Sequence, residues 1–154
     1  MISNYGAKIM AVSIDQSVRG LRHKKYRPDL VVCDDIEDLQ SVKTLEGRDK
    51  TYAWVKGELI PAGDMGALIV FIGNLLHEDC LLKRLQKEIQ SGALRGIYRE
   101  YPIRNSDGRI LWPGKFPSPM AIELLRQRIG SEASFQREYM LRIIPDSERL
   151  FHPA

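Results

Sequence analysis

The sequence contains little cysteine and no long hydrophobic run. Its two cysteines, Cys33 and Cys80, are too few for a disulfide framework or a cysteine-based metal cluster. The longest uninterrupted apolar run, Ala67 to Ile72, is far shorter than the ~20 residues that a membrane-spanning helix needs. The first residues also lack the apolar core of a secretory signal. We therefore expect a protein of a reducing, intracellular compartment that does not enter a membrane.

The overall composition is that of an ordinary globular domain. Of the 154 residues, 44% are hydrophobic and 28% are charged, which argues against a disordered chain. The 23 basic residues exceed the 20 acidic ones by only three, so the formal net charge is +3. The length corresponds to one domain or to part of one.

The charges are unevenly distributed along the chain. Residues 19–27 carry five cations and no acid, whereas residues 34–38 carry four acids. A basic segment followed by a carboxylate cluster is typical of a site that handles phosphates together with a divalent cation. The alternative is a solvated loop beside an acidic helix start.

The first half of the sequence has the pattern of a strand–helix–strand unit. Two continuous apolar runs, Leu30–Cys33 and Ala67–Ile72, predict strands that are covered on both faces, as in a parallel sheet. Between them, residues 44–60 predict a helix that ends at Pro61–Gly63. Such a unit normally makes parallel neighbouring strands. Lys8–Ile14 alternates loosely and is a candidate for another strand.

The second half predicts helices and a hairpin. His77, Glu78 and Asp79 precede an apolar helical stripe that ends at Gly92, and residues 96–101 predict a strand. A turn at 105–108 followed by residues 110–112 predicts a hairpin. Two more helices are predicted, from Ser118 to Gly130 and from 131 to 143 with a stop at Pro145. Because the pattern changes near residue 102, we divide the sequence into domains 1–102 and 103–154.

The ends of the two predicted strands suggest a phosphate-handling site. Asp34 and Asp35 follow the first strand, which is the form of a Walker B segment. There the first acid binds the Mg²⁺ of a nucleoside triphosphate and the second polarises the attacking water. Asn74, which follows Gly73, is expected at the tip of the next strand, where a polar residue can sense the γ-phosphate. A chance occurrence of two acids, and a Gly-Asn turn that caps the next helix, are the alternatives.

Several short motifs, in order and nearly throughout the chain, resemble the large terminase subunit of tailed bacteriophages and prophages. They are Arg19-Gly20, residues 27–38, residues 70–82, Ile110–Pro113 and Phe135–Tyr139. In that family the large subunit is the ATP-driven motor that packages double-stranded DNA into procapsids, and a C-terminal nuclease domain cuts the DNA. The resemblance implies a partial RecA-like α/β core of the P-loop NTPase type with parallel strands, followed by a small hairpin-plus-helices subdomain.

The resemblance also implies roles for individual residues. Asp34 matches the metal-coordinating acid, and Asp35 matches the catalytic acid that follows it. Many members have Glu at that position, so Glu37 is a second candidate for the catalytic acid. His77 matches a structural group at the start of a helix.

Two further positions match the family's phosphate-responsive elements. Gly73 and Asn74 match the coupling segment, where many relatives have Gly-Thr. Arg19 matches the arginine of an Arg-Gly pair, and is a candidate arginine finger or phosphate sensor. A surface contact between Arg19 and the DNA backbone is the alternative.

The sequence also departs from the family. No Gly-x-x-x-x-Gly-Lys-Ser/Thr motif is present, and the sequence stops where the nuclease domain would begin. We therefore interpret domain 1–102 as the second half of the ATPase core, and 103–154 as the subdomain leading toward an absent nuclease domain. A truncated gene, a prophage remnant and a split-gene product all fit. We expect such a chain to hydrolyse ATP poorly alone.

The implied cofactors are Mg²⁺ and ATP. The implied partners are double-stranded DNA, the terminase small subunit, the portal protein, the missing N-terminal ATPase half and further copies of the chain, in the cytoplasm of a bacterial host and without a membrane. Two other functions remain open. One is a metal-dependent nuclease that uses the acids of residues 34–38, and the other is a non-catalytic DNA-binding or interaction module that uses residues 19–27.

Overall fold

A computed structural model describes residues 6–14 and 16–143, and its regular elements follow the strand–helix–strand order predicted for the first half of the chain. The elements of the first half are β1 (Leu30–Asp34), α1 (Leu45–Trp54), a π-helical turn (Val55–Leu59), α2 (Ile60–Ala62) and β2 (Leu68–Ile72). Those of the second half are α3 (Leu81–Ser91), α4 (Pro119–Ile129) and α5 (Glu132–Tyr139).

The two predicted strands pair in parallel, as expected. Leu30 lies opposite Leu68, and the register continues to Asp34 opposite Ile72. The chain is therefore a mixed α/β protein with a parallel sheet, which consists of these two strands within the described residues. The candidate strand Lys8–Ile14 is not formed, because its apolar side chains remain exposed and an alternating pattern favours a strand only when one face is buried.

The connection between the strands is one helical segment with a π-helical turn in it. Thr44 caps α1 by accepting a 3.1 Å hydrogen bond from the N–H of Gly47. Pro61 cannot donate a backbone hydrogen bond, and in a regular helix its ring would press on the carbonyl of Gly57. The wider turn, in which Ile60 N–H bonds the carbonyl of Val55, precedes this proline and accommodates it.

Within the described residues of the first unit, the core covers one face of the sheet. Its core consists of Val18, Cys33 and Leu59, with Trp54, Val31, Ile69 and Phe71 among the residues packed against it. Alternate residues on the opposite face stay in solvent: Leu30 is 54% exposed, Val32 55%, Leu68 63% and Ile72 54%. The expectation that both faces are covered is therefore not met by the described residues of the first unit, where the packed helical segment supplies one layer.

By its internal contacts the chain divides into two compact units, Met1–Gly73 and Asn74–Ala154. The first unit contains the sheet, and the second contains α3, α4 and α5. The division of the sequence at residue 102 differs from this boundary and stays a prediction. Residues up to 100 belong with α3 because Lys83 on that helix forms a 3.1 Å ion pair with Glu100 and lies over the ring of Tyr98.

In the second unit the helices form near their predicted positions, and the hairpin forms only around its turn. The strand predicted at 96–101 is absent from the described structure, and the hairpin is reduced to one antiparallel bridge between Arg104 and Ile110. The turn between them does form, with the Asn105 side chain accepting from the N–H of Arg109 at 2.8 Å. The apolar side chains here enter a helical core instead of a sheet.

That core is made by α4, α5 and the preceding loop. Its buried members are Ile103, Phe116, Ile122 and Phe135. Ser118 caps α4 and Gly130 ends it in the left-handed conformation, as predicted. The last helix is shorter than expected, since Leu141 has φ of 54° and Arg142 N–H folds back to the carbonyl of Gln136. Pro145, the predicted stop, lies outside the described residues.

Candidate functional site

The two acids of the proposed Walker B segment stand at the C-terminal end of β1. Asp34 is the last residue of the strand and lies opposite Ile72 on β2. The next residue, Asp35, continues the pairing, because its N–H donates a 3.0 Å hydrogen bond to the Ile72 carbonyl. Both acids are exposed, and Gly73 directly follows their partner. Both strands therefore deliver the predicted residues Asp34, Asp35 and Gly73 to one edge of the sheet.

Asp35 has a backbone conformation that ends the strand. Its φ is 46°, in the left-handed region that L-residues other than Asn and Asp rarely adopt. The strand cannot continue through such a residue, so the chain turns away immediately after the acid pair. An aspartate is one of the few residues that this position accepts at low cost.

The acids that follow have different environments. Glu37 is half-buried. Asp38 closes a turn with Ser41: its Oδ1 accepts from the N–H of Ser41 at 2.7 Å, and its own N–H donates to Ser41 Oγ at 2.9 Å. Hydrogen bonds to the carboxyl, first from the Ser41 N–H and then from the Ser41 side chain, hold the pKa of Asp38 below its usual range. Asp38 therefore helps to hold the turn that follows the acid pair.

Arg19 is held by an acid that the sequence did not single out. Its Nε lies 3.6 Å from Oε2 of Glu58, which belongs to the π-helical turn. The Arg19 side chain is 69% exposed, so this ion pair is at the surface and readily exchanged. The only sequence signal for this contact is Pro61. A proline within an otherwise helical stretch indicates a local distortion, and Glu58 lies in that distorted turn.

Asn74 opens the second unit. Its side-chain amide donates a 2.6 Å hydrogen bond to Oε2 of Glu138 on α5, and the other oxygen of Glu138 accepts from Arg137 Nε at 2.8 Å. The sequence motifs included Glu138 without giving it a role. The predicted proximity of Asn74 to Asp34 stays a prediction, since the two residues belong to different units.

His77 also has a local structural contact. Its Nδ1 accepts a 3.0 Å hydrogen bond from the N–H of Asp79, just before α3 begins. Asp79 in turn forms a two-pronged pair with Arg84, with distances of 2.9 and 2.6 Å. The structural role expected for His77 at the helix start agrees with this geometry.

A groove of about 590 Å³ lies beside β1 in the first unit. Its lining includes most of residues 6–14 and all of β1, with Trp54 and Leu59 among the apolar side chains. The cationic residues Arg22 and Arg27 also line it. The groove therefore joins the basic segment to the strand that carries Asp34.

The described residues contain no group of three or more His, Cys, Asp or Glu side chains placed to hold a metal ion together. Asp34 nevertheless fits a Mg²⁺ ligand, since Mg²⁺ is usually bound by one or two carboxylates with waters and substrate phosphates completing its shell. Open α/β sheets bind ligands at the carboxyl ends of their parallel strands, and this exposed acid lies at such an end.

No helix within 6–14 and 16–143 is long and apolar enough to cross a membrane. Comparison of the chain with known protein families, with curated proteins and with solved structures finds no match.

Proposed function

We propose that this chain is the second half of the ATPase domain of a terminase-type motor, which packages double-stranded phage DNA into procapsids. One observation carries the proposal. The parallel pairing of β1 with β2 brings Asp34, Asp35 and Gly73 to one sheet edge, in the order that the terminase resemblance implies.

In this proposal, each candidate residue of the chain has its own part in ATP hydrolysis. Asp34 would hold Mg²⁺, which supplies charge neutralisation on the phosphates of ATP when it is bound. Asp35 would orient the attacking water and accept its proton. Glu37, half-buried three residues beyond Asp34, is the second candidate for this step. Arg19 would exchange Glu58 for the transferring phosphoryl group, because a surface ion pair costs little to open.

The uncovered sheet face supports the view that the core is incomplete. Parallel sheets are normally covered on both faces, and two strands alone make a marginal sheet. The four exposed aliphatic side chains Leu30, Val32, Leu68 and Ile72 lie on one face of this sheet. In the proposal a polypeptide with the P-loop strand and its helix covers this face and cradles the triphosphate.

The remaining partners follow from the same proposal. They are double-stranded DNA, the terminase small subunit, the portal protein and further copies of the motor, in the cytoplasm of a bacterial host. The partial RecA-like core is part of this proposal. Its support is the parallel β1–β2 pair and the helical segment that connects the strands.

Two measurements on the isolated protein test the proposal. Steady-state ATPase activity should be absent or very low, because phosphoryl transfer depends on positioned donors that the P-loop supplies. Robust turnover that is lost in Asp34→Ala would show that this chain has its own phosphate-binding loop, and would contradict the half-domain interpretation.

The second measurement locates the metal ligand. Mn²⁺, a paramagnetic substitute for Mg²⁺, should broaden the amide NMR signals of Asp34, Asp35 and Gly73 first. The broadening should be lost in Asp34→Asn and retained in Asp29→Asn, the acid at the other end of the strand. Broadening that is centred elsewhere, or that survives Asp34→Asn, would contradict the assignment.

A further inference from the structure

The basic segment contains a tight hairpin that presents two lysines at its tip. His23 and Tyr26 exchange both backbone hydrogen bonds, at 2.9 and 3.0 Å, so Lys24 and Lys25 are the two residues of the turn. Both lysines are exposed. The two-residue connection places the two lysines next to each other at the tip of the turn.

The backbone at the tip is unusual for lysine. Lys24 has φ of 57°, a conformation that two-residue hairpins normally assign to Gly or Asn. A long basic side chain is the costlier choice at such a position. Backbone strain of this kind is a reason to look for function, and the residue that adopts the strained conformation here is a cation.

The positive charge of the segment is largely uncompensated. Among the described residues, Arg19 is the one cation of this segment with a carboxylate partner, Glu58. Arg27 donates its Nη1 to the Pro61 carbonyl at 2.8 Å, which fastens the hairpin to the end of the helical segment and leaves its charge unopposed. Within the described chain, Arg22, Lys24 and Lys25 form no ion pair with an acid. Four cations thus remain available to an anionic partner.

The single aromatic residue of the hairpin distinguishes between types of nucleic acid. Tyr26 is 59% exposed, but the Lys25 ammonium lies over its ring at 5.4 Å from the centroid. Single-strand binding proteins need open aromatic faces on which bases stack. A ring covered by a cation is a poor stacking surface, so the hairpin is better suited to the phosphates of a duplex.

The geometry points to the hairpin His23–Tyr26, with Arg22 and Arg27 beside it, as a contact for the phosphate backbone of double-stranded DNA. This inference deepens the proposed function and rests on it for the choice of DNA as the polyanion. The contact is independent of sequence, because it reads charge and spacing rather than base edges.

The test is fluorescence anisotropy of a labelled duplex of arbitrary sequence, titrated with the 154-residue protein at about 50 to about 200 mM salt. Each lost phosphate contact lowers the salt slope by about 0.9, equivalent to about an eightfold loss of affinity at 0.1 M salt. The double variant Lys24→Gln with Lys25→Gln should therefore lose affinity by two such eightfold factors. The matched control, Lys50→Gln with Lys87→Gln, removes the same charge from exposed positions on α1 and α3 and should lose much less.

A second variant separates charge from folding. Lys24→Gly suits the positive φ, so it should not lower the melting temperature, yet it should weaken duplex binding by one such factor. The inference is overturned if the wild type does not bind duplex at low salt, or if hairpin and control variants lose affinity equally. It is also overturned if vesicles with anionic lipid outcompete the duplex, or if single strands bind more tightly through Tyr26, as judged by Tyr26→Leu. Because the assay contains no nucleotide, its failure leaves the Asp34 assignment intact.

Discussion

The N–H of Asp35 donates a 3.0 Å hydrogen bond to the carbonyl of Ile72, one residue beyond the last paired residue of β1. This bond ties the acid pair to the residue that precedes Gly73. In the proposed motor, this bond would link Asp35, the candidate catalytic acid, to the candidate coupling segment that begins at Gly73.

The backbone of Asp35 gives the first prediction. Because its φ is 46°, replacement by Ala should destabilise the first unit by roughly 1–2 kcal/mol, whereas Asn, which tolerates the left-handed region, should cost less. Urea denaturation of the two variants measures the difference. Equal losses for Ala and Asn would show that the carboxylate, rather than the backbone, is what matters at this position.

The one-sided burial of the sheet gives the second. Leu59 is 5% exposed in the core beneath the sheet, and Leu30 is 54% exposed on the open face. Leu59→Ala should cost about 2–5 kcal/mol, because it leaves a cavity. Leu30→Ala should change stability by about 0.5 kcal/mol at most, as surface substitutions do. Comparable losses in the two variants would mean that the open face is covered in solution.

The Asp38–Ser41 turn gives a pH dependence. Hydrogen bonds from Ser41 lower the pKa of Asp38 in the folded chain, so its contribution to stability is present above the unfolded pKa of about 3.9. That contribution is lost as the pH falls through the lowered folded value. Asp38→Asn should therefore be less stable than the wild type near neutral pH, and the gap should shrink in acid.

A matched control isolates that effect. Asp29→Asn removes an exposed carboxylate at the start of β1, where the described structure shows no hydrogen bond to the side chain. Chemical denaturation at neutral and acidic pH should show no comparable pH-dependent gap for this variant. If both variants behave alike, the turn at Asp38 does not contribute through its charge.

The buried thiol of Cys33 gives the fourth prediction. Burial raises the pKa of Cys33 to about 11, so the reactive thiolate is scarce at mildly alkaline pH. Cys80 is 0% exposed. Both thiols should react slowly with Ellman's reagent in the native protein and rapidly in denaturant. Fast reaction of either thiol in the native protein would show that the residues packed around it open to solvent.

Local patterns predicted the elements that are determined by short stretches of sequence. Continuous apolar runs predicted β1 and β2. Ser118 with Pro119, and Gly130, predicted the two ends of α4. Those signals reside in neighbouring residues. Lys8–Ile14 was wrong as a strand, because a strand also needs a partner edge and a buried face, which no local pattern supplies.

The candidate site was predictable to the same extent. Asp34 and Asp35 could be placed at a strand end from sequence, and their pairing with Ile72 followed from the parallel arrangement. The contacts of Arg19 with Glu58 and of Asn74 with Glu138 span 39 and 64 positions. Such distant pairs depend on how the helices pack, and the π-helical turn that carries Glu58 has no simple periodic signature.

The most direct test of the account is the ATPase activity of a chimaeric protein in which the P-loop half of an active terminase ATPase precedes this chain. We predict DNA-stimulated turnover that is lost in Asp34→Ala and retained in Asp29→Asn, with Asp35→Asn and Glu37→Gln showing which acid serves the water. A folded chimaera that hydrolyses no ATP, or turnover that survives Asp34→Ala, would contradict the central claim that the end of β1 is half of an ATPase site.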